Sequence, residues 1–406
     1  MGRTKYLVLG GGMVAGYAAK ELVEQGVKAG ELTIITADAA LPYERPPLSK
    51  GFLAGKDTAE GILIKPEAWY REHGLEVRLQ TVVEKVDGES RSLRTSSGQE
   101  FGFENLLIAT GAQPRRLDCP GNDLPGIFYL RSLSDAESIR SKASGAKRAV
   151  VVGGGFIGME VASVLAQKNV ETSLVIREER VWSRVFSPEI SAFFDDYYSA
   201  RGVRIIKQAS VTALHGKGAL HSAKLSNGQE IACDLVVAGI GVTPATTLLE
   251  HSGVQIDNGI VVNEFLETNV TGVYAAGDVA NYPDPIFGKR RRVEHWDNAV
   301  SQGQHWAQVV TGDRQPFIHV PYFFSDVFDL SYELWGDSAG AGKVVIRGDA
   351  HTSSFSAWWL KDSRVVAAFV MNRPDEERQL APEWIKSRHE IAANRLADPN
   401  PLSQAA

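Results

Sequence analysis

Apolar residues along the chain gather into short unbroken runs, each followed by a stretch with helical spacing, and the arrangement occurs twice. "KYLVLG" reads as a buried strand, "MVAGYAAKELVEQG" as a helix that stops at Gly26, and "ELTIIT" as the next buried strand. "KRAVVVGGG", "FIGMEVASVLAQKN" and "ETSLVIR" repeat that order later in the chain. Each triplet is a βαβ unit, which predicts a parallel sheet. Short β-rich pieces follow each unit ("LEVRLQTVVEKVD" and "VRIIKQASVTALHG"). Hairpin-like stretches come next, "SLRTSSGQEFGFENLLIATG" and "HSAKLSNGQEIACDLVVAGIG", turned at Ser-Ser-Gly and Asn-Gly. "LETNVTGVYAAGDVA" adds a strand that ends in Gly277-Asp278. From Pro321 onward the pattern changes: "SFSAWWLKDSRVVAAFVM" predicts two strands around a Lys-Asp-Ser turn, and "APEWIKSRHEIAANRL" a polar helical tail.

Composition narrows the class. A chain of 406 residues suffices for two or three domains. A formal charge of −6 with 43 Lys+Arg argues against a nucleic-acid partner. The one basic run, Lys289 to Arg292, reads as a solvated turn or as a docking patch for an acidic partner. Cys119 and Cys233 form no C-x-x-C, which excludes a metal knuckle and a dithiol pair, and both read as structural thiols in a reducing compartment. The nine histidines show no ligand spacing, so no metal site is expected. No signal-like start or membrane-length apolar run is seen, and Tyr6 stands where a myristoylation signal wants Ser or Thr. The expectation is a cytoplasmic protein with no membrane partner.

The chemistry sits where strand meets helix. Gly10-x-Gly12-x-x-Ala15 and Gly153-x-Gly155-x-x-Gly158 each follow an apolar strand and open a helix. Glycines there allow a tight turn and close approach of backbone to phosphate, and the helix N-terminus supplies free N–H groups and partial positive charge. Two dinucleotide cradles in one chain fit one carrier held permanently and one that visits, as when hydride passes between a nicotinamide and a flavin. "PYERPPLSKG" adds a loop stiffened by Pro46 and Pro47, with cations at Arg45 and Lys50 that suit a reduced flavin's negative charge. Asp278 follows a buried strand and suits a ribityl hydroxyl. The expected fold class is α/β: two Rossmann-like dinucleotide-binding domains plus a C-terminal α+β domain.

These motifs, with "ATGAQP", "GGGFIGME", "GVYAAGDVA" and "VEHWDNA", stand in the order found in the FAD-dependent pyridine-nucleotide oxidoreductases, which the chain resembles over residues 5–340. The subgroup includes ferredoxin and rubredoxin reductases, apoptosis-inducing factor and the monodehydroascorbate reductases. "LGGGMVAGYAAKELVEQGVKAGELTII", "FSPEISAFFDDYYSARGV" and "RRVEHWDNA" look most like the last. The resemblance implies a glutathione-reductase-like arrangement: an FAD-binding domain from 1–116 and 244–320, an NAD(P)H-binding domain from 117–243 and a C-terminal domain from 321–406. It implies that Gly10, Gly12 and Ala15 line the FAD pyrophosphate turn, Asp38 serves the adenosine ribose, Arg45 and Lys50 lie near the phosphates and isoalloxazine, and Arg131 and Asp278 complete that site. Gly153, Gly155 and Gly158 would hold the nicotinamide cofactor's phosphates. Glu160 would lie beside the nicotinamide and pair with Lys50, these two being the catalytic candidates. Glu294 and His295 would stand near the nicotinamide end, and Trp296 would cover part of the flavin. Met13, Val14, Val83, Phe156, Ile157, Arg184 and Gly241 are further cofactor-contact positions.

The same resemblance implies hydride transfer from the nicotinamide to the flavin, then release of single electrons. Glu178 matches a glutamate that faces the ribose hydroxyls and disfavours a 2′-phosphate; Arg177 beside it would favour one. NADH is the expected donor, with NADPH the alternative. Tyr322 and Phe324 would line the acceptor side. Three acceptor readings stand: a small radical or quinone, as in the monodehydroascorbate reductases; a small iron–sulfur protein such as a ferredoxin or rubredoxin; and a redox-sensing role like that of apoptosis-inducing factor. Val300 occupies the place where monodehydroascorbate reductases carry a substrate-clasping arginine, which weakens the first reading.

Overall fold

Both βαβ units form as their patterns require. In the computed structural model, which describes residues 3–183, 185–398 and 400–402, the first unit is the strand Arg3–Leu9, the helix Met13–Glu24 and the strand Leu32–Ile35. The second is Arg148–Val152, Phe156–Gln167 and Glu171–Val175. Four consecutive buried residues in Leu32–Ile35, and again in Ala149–Val152, show why these runs carry no polar alternation: parallel strands are covered on both faces.

Contacts divide the chain into two compact units. The first comprises Met1–Pro46, Thr58–Gln113 and Val242–Pro321. Its main sheet has seven strands, ordered Glu76–Arg78, Leu32–Ile35, Arg3–Leu9, Glu100–Ile108, Ser92–Thr95, Val83–Asp87, with Val273–Ala275 also paired to Glu100–Ile108. The pairs nearest the cradle are parallel; Ser92–Thr95 and Glu100–Ile108 form the antiparallel hairpin expected around Ser-Ser-Gly, and Val83–Asp87 adds to it antiparallel. The helix Met13–Glu24 packs on Trp296–Thr311, closely enough that a Cβ on Gly303 would lie 2.7 Å from the Val14 carbonyl oxygen.

The second unit comprises Pro47–Asp57, Pro114–Gly241 and Tyr322–Ala406. One sheet is parallel, ordered Val203–Ile206, Glu171–Val175, Arg148–Val152, Leu235–Ala238, Ile127–Phe128. A second, antiparallel sheet of five strands holds Tyr322–Val327, Leu330–Gly336, Arg364–Met371, Ser354–Lys361 and Lys343–Asp349. The Lys-Asp-Ser turn lies where expected, with Asp362 and Ser363 at positive φ (50° and 61°).

Two local expectations change. The tail helix is Asp375–Ser387, starting earlier than the apolar spacing from Ala381 suggests because three acids fill its first turn; Arg388, at φ 54°, stops it, and the rest of the expected helix forms only as the short Ala393–Ala397. The basic run is a strand rather than a turn, with Lys289 and Arg290 exposed. Lys289–Arg291 is a short strand paired with Ala280–Asp284. Arg290 donates to the Val262 carbonyl at 2.6 Å, Arg291 pairs with Asp284 at 3.0 Å, and Arg292 bonds the Asp278 carbonyl at 3.0 Å and Glu294 at 2.5 Å. Among the described residues no helix is long and apolar enough to cross a membrane.

Candidate active site

Each cradle is a crossing of three backbone segments. In the first unit the Gly10 N–H donates to the Ile35 carbonyl at 2.8 Å, and the Ala109 N–H to Leu9 at 2.8 Å. Gly10 has φ +124°, and a Cβ there would lie 2.3 Å from the Ala109 oxygen, so only glycine fits. Gly12 opens the helix without a side-chain cap, and its first turn holds no acid, so the leading N–H groups and their partial positive charge are left for an anion. A Cβ on Gly12 would lie 3.6 Å from two guanidinium nitrogens of Arg45, which puts a cation against the same turn. Met13, Val14 and Ala15 are buried behind it. Asp38 lies just past the second strand, its carboxylate accepting the Ala40 N–H at 3.2 Å and the Tyr43 hydroxyl at 2.9 Å.

Other residues marked for the flavin lie in the same unit. Asp278 sits in a short 3₁₀ turn whose Gly277 N–H is bound by Gln302 of the long helix at 2.7 Å. Trp296 opens that helix, with His295 at its N-cap and Glu294 just before. The Trp296 indole N–H donates to Glu44 at 2.7 Å, and Glu44 also takes the Tyr17 hydroxyl at 2.7 Å. Burial, then the hydrogen bond to Glu44, pushes the Tyr17 hydroxyl far up, so it serves as a donor. Val83 begins its strand, half-buried.

The second cradle repeats the crossing. Gly153 donates to Val175 at 2.9 Å, and Gly239 to Val152 at 2.8 Å. Gly153 has φ +112°, and its Cβ would lie 2.2 Å from the Gly239 oxygen; a Cβ on Gly158 would lie 1.9 Å from the Gly153 oxygen. Around Gly155 there is open space, and the helix it starts has neither a side-chain cap nor an acid in its first turn. Phe156 stacks on Phe323 at 6.0 Å, and Ile157 beside it stays 38% exposed, an apolar face next to an uncapped helix end. Glu178 follows the second strand as Asp38 does in the first cradle. Gly241, at φ +98°, follows Leu235–Ala238, and Arg131 lies just before the helix Leu133–Ala143, its main-chain N–H on Asp135. Arg184 lies outside the described residues.

Lys50 and Glu160 meet in the second unit. The Lys50 ammonium is 2.8 Å from Glu160 Oε1, and Glu160 is only 4% exposed. Ser49 and Ser325 also donate to that carboxylate, and Lys50 Nζ lies 5.0 Å over the Phe324 ring. Tyr322 donates to Glu333 at 2.6 Å and stacks on Phe324. Sequence reasoning assigned no role to Ser49, Ser325 or Glu44, though Ser49 and Glu44 lie inside the quoted Pro-rich loop. Trp182 was also missed: it holds φ 49°, donates its main-chain N–H to the Gly154 carbonyl at 3.0 Å and packs among Phe156, Phe186 and Phe194. Burial, then the neighbouring Asp234, pushes the Cys233 thiol up to about 12, and burial and Asp118 raise that of Cys119. Both thiols are therefore poor nucleophiles at neutral pH.

The residues present fit a dinucleotide at each cradle: a glycine that no side chain could replace, an open glycine, and an uncapped helix end. Comparison with known proteins agrees. The pyridine nucleotide-disulphide oxidoreductase profile matches residues 4–303, and a reductase C-terminal profile matches 322–404. A monodehydroascorbate reductase of Solanum lycopersicum is 36% identical over 97% of this chain and 96% of its own length. One from Pisum sativum is 36% identical over 93% of each. Among solved structures, a ferredoxin reductase from Rhodopseudomonas palustris matches with a TM-score of 0.95 at 32% identity, covering 100% of both chains. The reductase in a covalent putidaredoxin reductase–putidaredoxin complex matches at 0.94 and 30% identity, over 98% of this chain and 96% of that one. The chain belongs to the pyridine nucleotide-disulphide oxidoreductase family and is an FAD- and NAD(P)H-dependent oxidoreductase.

Proposed function

We propose that this enzyme takes hydride from NADH and passes single electrons to a small radical acceptor of the monodehydroascorbate type. The observation that carries the acceptor reading is the 36% identity with monodehydroascorbate reductases over nearly the whole chain.

In this proposal the first cradle holds FAD, through Gly10, Gly12, Ala15, Asp38, Arg45 and Asp278, and the second holds the nicotinamide dinucleotide, through Gly153, Gly155 and Gly158. FAD supplies a two-electron acceptor that can give electrons up singly. Lys50 and Glu160 attend the reacting rings by fixed charge rather than by acid–base chemistry, since hydride transfer needs orientation above all. Glu178 accepts from a free 2′-hydroxyl and repels a 2′-phosphate. Tyr322 and Phe324 line the acceptor side. The setting is cytoplasmic and reducing, in keeping with two free cysteines.

A second reading, reduction of a ferredoxin-like iron–sulfur protein, is favoured by Val300, which supplies no cation to clasp a small anion, and by the full-length match to a ferredoxin reductase. Steady-state turnover with enzymatically generated monodehydroascorbate and with a purified ferredoxin separates the two. Radical reduction that is fast and nearly salt-independent supports the first reading. Fast ferredoxin reduction that falls steeply with salt, with slow radical turnover, replaces it.

A further inference from the structure

A buried carboxylate must have its acceptor capacity filled, and Glu160 fills it from three directions. Glu160 belongs to the helix Phe156–Gln167. Lys50 reaches Oε1 at 2.8 Å, Ser325 donates to the same oxygen at 2.5 Å, and Ser49 donates to Oε2. Ser49 is 2% exposed and Ser325 is fully buried. One lysine already balances the charge of one glutamate, so the hydroxyls are not there for neutrality. They fix direction. An ion pair through a single oxygen leaves the carboxylate free to turn, and a four-carbon lysine follows it. With Oε2 pinned by Ser49 and Oε1 shared by Ser325, the carboxylate plane is set and Lys50 Nζ has one place to sit.

The surroundings repeat the theme. Ser163, one helical turn beyond Glu160, accepts the Phe328 N–H at 2.8 Å. The helix therefore grips the segment 325–328 at two points. Phe324, next to Ser325, presents its ring to Lys50 Nζ at 5.0 Å. Ser49 is the chain neighbour of Lys50 itself, so the same short stretch delivers the cation and one of the two hydroxyls that orient its partner.

We propose that Ser49 and Ser325 are positioning residues for hydride transfer: their hydroxyls lock the Glu160 carboxylate and, through it, the direction of the Lys50 ammonium. The inference rests on the reading of Lys50 and Glu160 as the residues that attend the reacting rings. It adds that their effect depends on two serines that bond the Glu160 carboxylate.

Anaerobic stopped-flow reduction of the FAD-loaded enzyme by NADH tests it, on Ser49→Ala, Ser325→Ala, the double variant, Ser325→Thr, Lys50→Met and Glu160→Gln. A hydrogen bond to a charged group sets the scale at roughly tenfold. Each alanine variant is expected to slow the limiting reduction rate about that much, with the NADH dissociation constant and FAD content within about twofold of wild type. The double variant should lose little beyond Glu160→Gln, since all act through one carboxylate. Ser325→Thr, which keeps the hydroxyl, should recover most of the rate. A merely structural role would instead lower FAD content and melting temperature, with the rate per bound flavin unchanged; that result overturns the proposal. So does an unchanged rate in both alanine variants while Lys50→Met and Glu160→Gln are slow. If Lys50→Met and Glu160→Gln are themselves as fast as wild type, the reading of the pair fails instead, and the inference falls with it.

Discussion

The two cradles solve one backbone problem twice, and they part company only where a ligand would tell them apart. Beyond the strand–helix turn, Gln80 and Gln208 both sit at positive φ (50° and 52°) and donate to the carbonyls of Asp38 and Glu178 at 2.9 and 3.1 Å. Thr81 and Ala209 follow, donating to Thr36 and Ile176. The differences are side chains. The first cradle has Ala15 where the second has Gly158, and Arg45 against its open glycine where the second has open space. Its carboxylate is also shorter. A cradle furnished with its own cation suits a carrier that stays; one with open space at its second glycine suits a carrier that leaves.

The largest test of that contrast is at the glycines no side chain can replace. A non-glycine residue at φ +124° costs about 1–3 kcal/mol, and forcing a Cβ against a carbonyl adds about 1–3 kcal/mol. Gly10→Ala is expected to purify with little FAD, seen as a lost 450 nm band. Gly153→Ala should keep its FAD but accept hydride from NADH poorly. Gly155→Ala, with open space around it, should fold normally and lose NADH affinity alone. If Gly153→Ala lost FAD while Gly10→Ala kept it, the assignment of carriers to cradles would be reversed.

A smaller effect separates the two carboxylates. Removing the Glu178 charge in Glu178→Gln should cut the preference for NADH over NADPH in kcat/KM by roughly 10–100-fold, the scale of one hydrogen bond to a charged group. Asp38→Asn should weaken FAD retention and leave that preference alone. An unchanged preference in Glu178→Gln would move the discrimination elsewhere, with Arg177 the first residue to examine.

These contrasts also mark what the sequence could disclose. The glycine fingerprints, the two βαβ units and the partition of strands around Ser-Ser-Gly and Asn-Gly were legible because each is written within about thirty residues, the span over which periodicity and turn chemistry act. Lys50 and Glu160 were paired only through resemblance. Ser49 lies 111 residues from Glu160, Ser325 lies 165 away, and Trp296 lies 252 from Glu44, so no local pattern could join them. The basic run teaches a different point. Arg290 and Arg291 find partners close by, the Val262 and Asn281 carbonyls and the Asp284 carboxylate, yet a row of four cations does not say which neighbours each will take. A serine or an arginine declares its partner only after folding.

The smallest effect concerns how each unit resists acid. Asp234 accepts the main-chain N–H groups of Lys147 and Arg148 at 2.9 and 3.0 Å, fastening the start of the second cradle's first strand. Burial pushes its pKa up, but these two bonds outweigh burial and hold it below the usual carboxylate range. In the first unit Arg314 grips Glu267 with two bonds, at 2.8 and 2.9 Å, and lowers its pKa against a smaller burial cost. A lowered folded-state pKa means stability that is present above the unfolded value, roughly pH 4, and is lost as pH falls through the folded one. Urea unfolding of wild type, Asp234→Asn and Glu267→Gln across that range should therefore show gaps at pH 7 that close as acid is added. Both groups are only partly buried and remain open to solvent screening, so each gap should be small, at most about 1 kcal/mol. A gap that widened toward low pH would reverse the sign and show that the carboxylate costs stability where it stands.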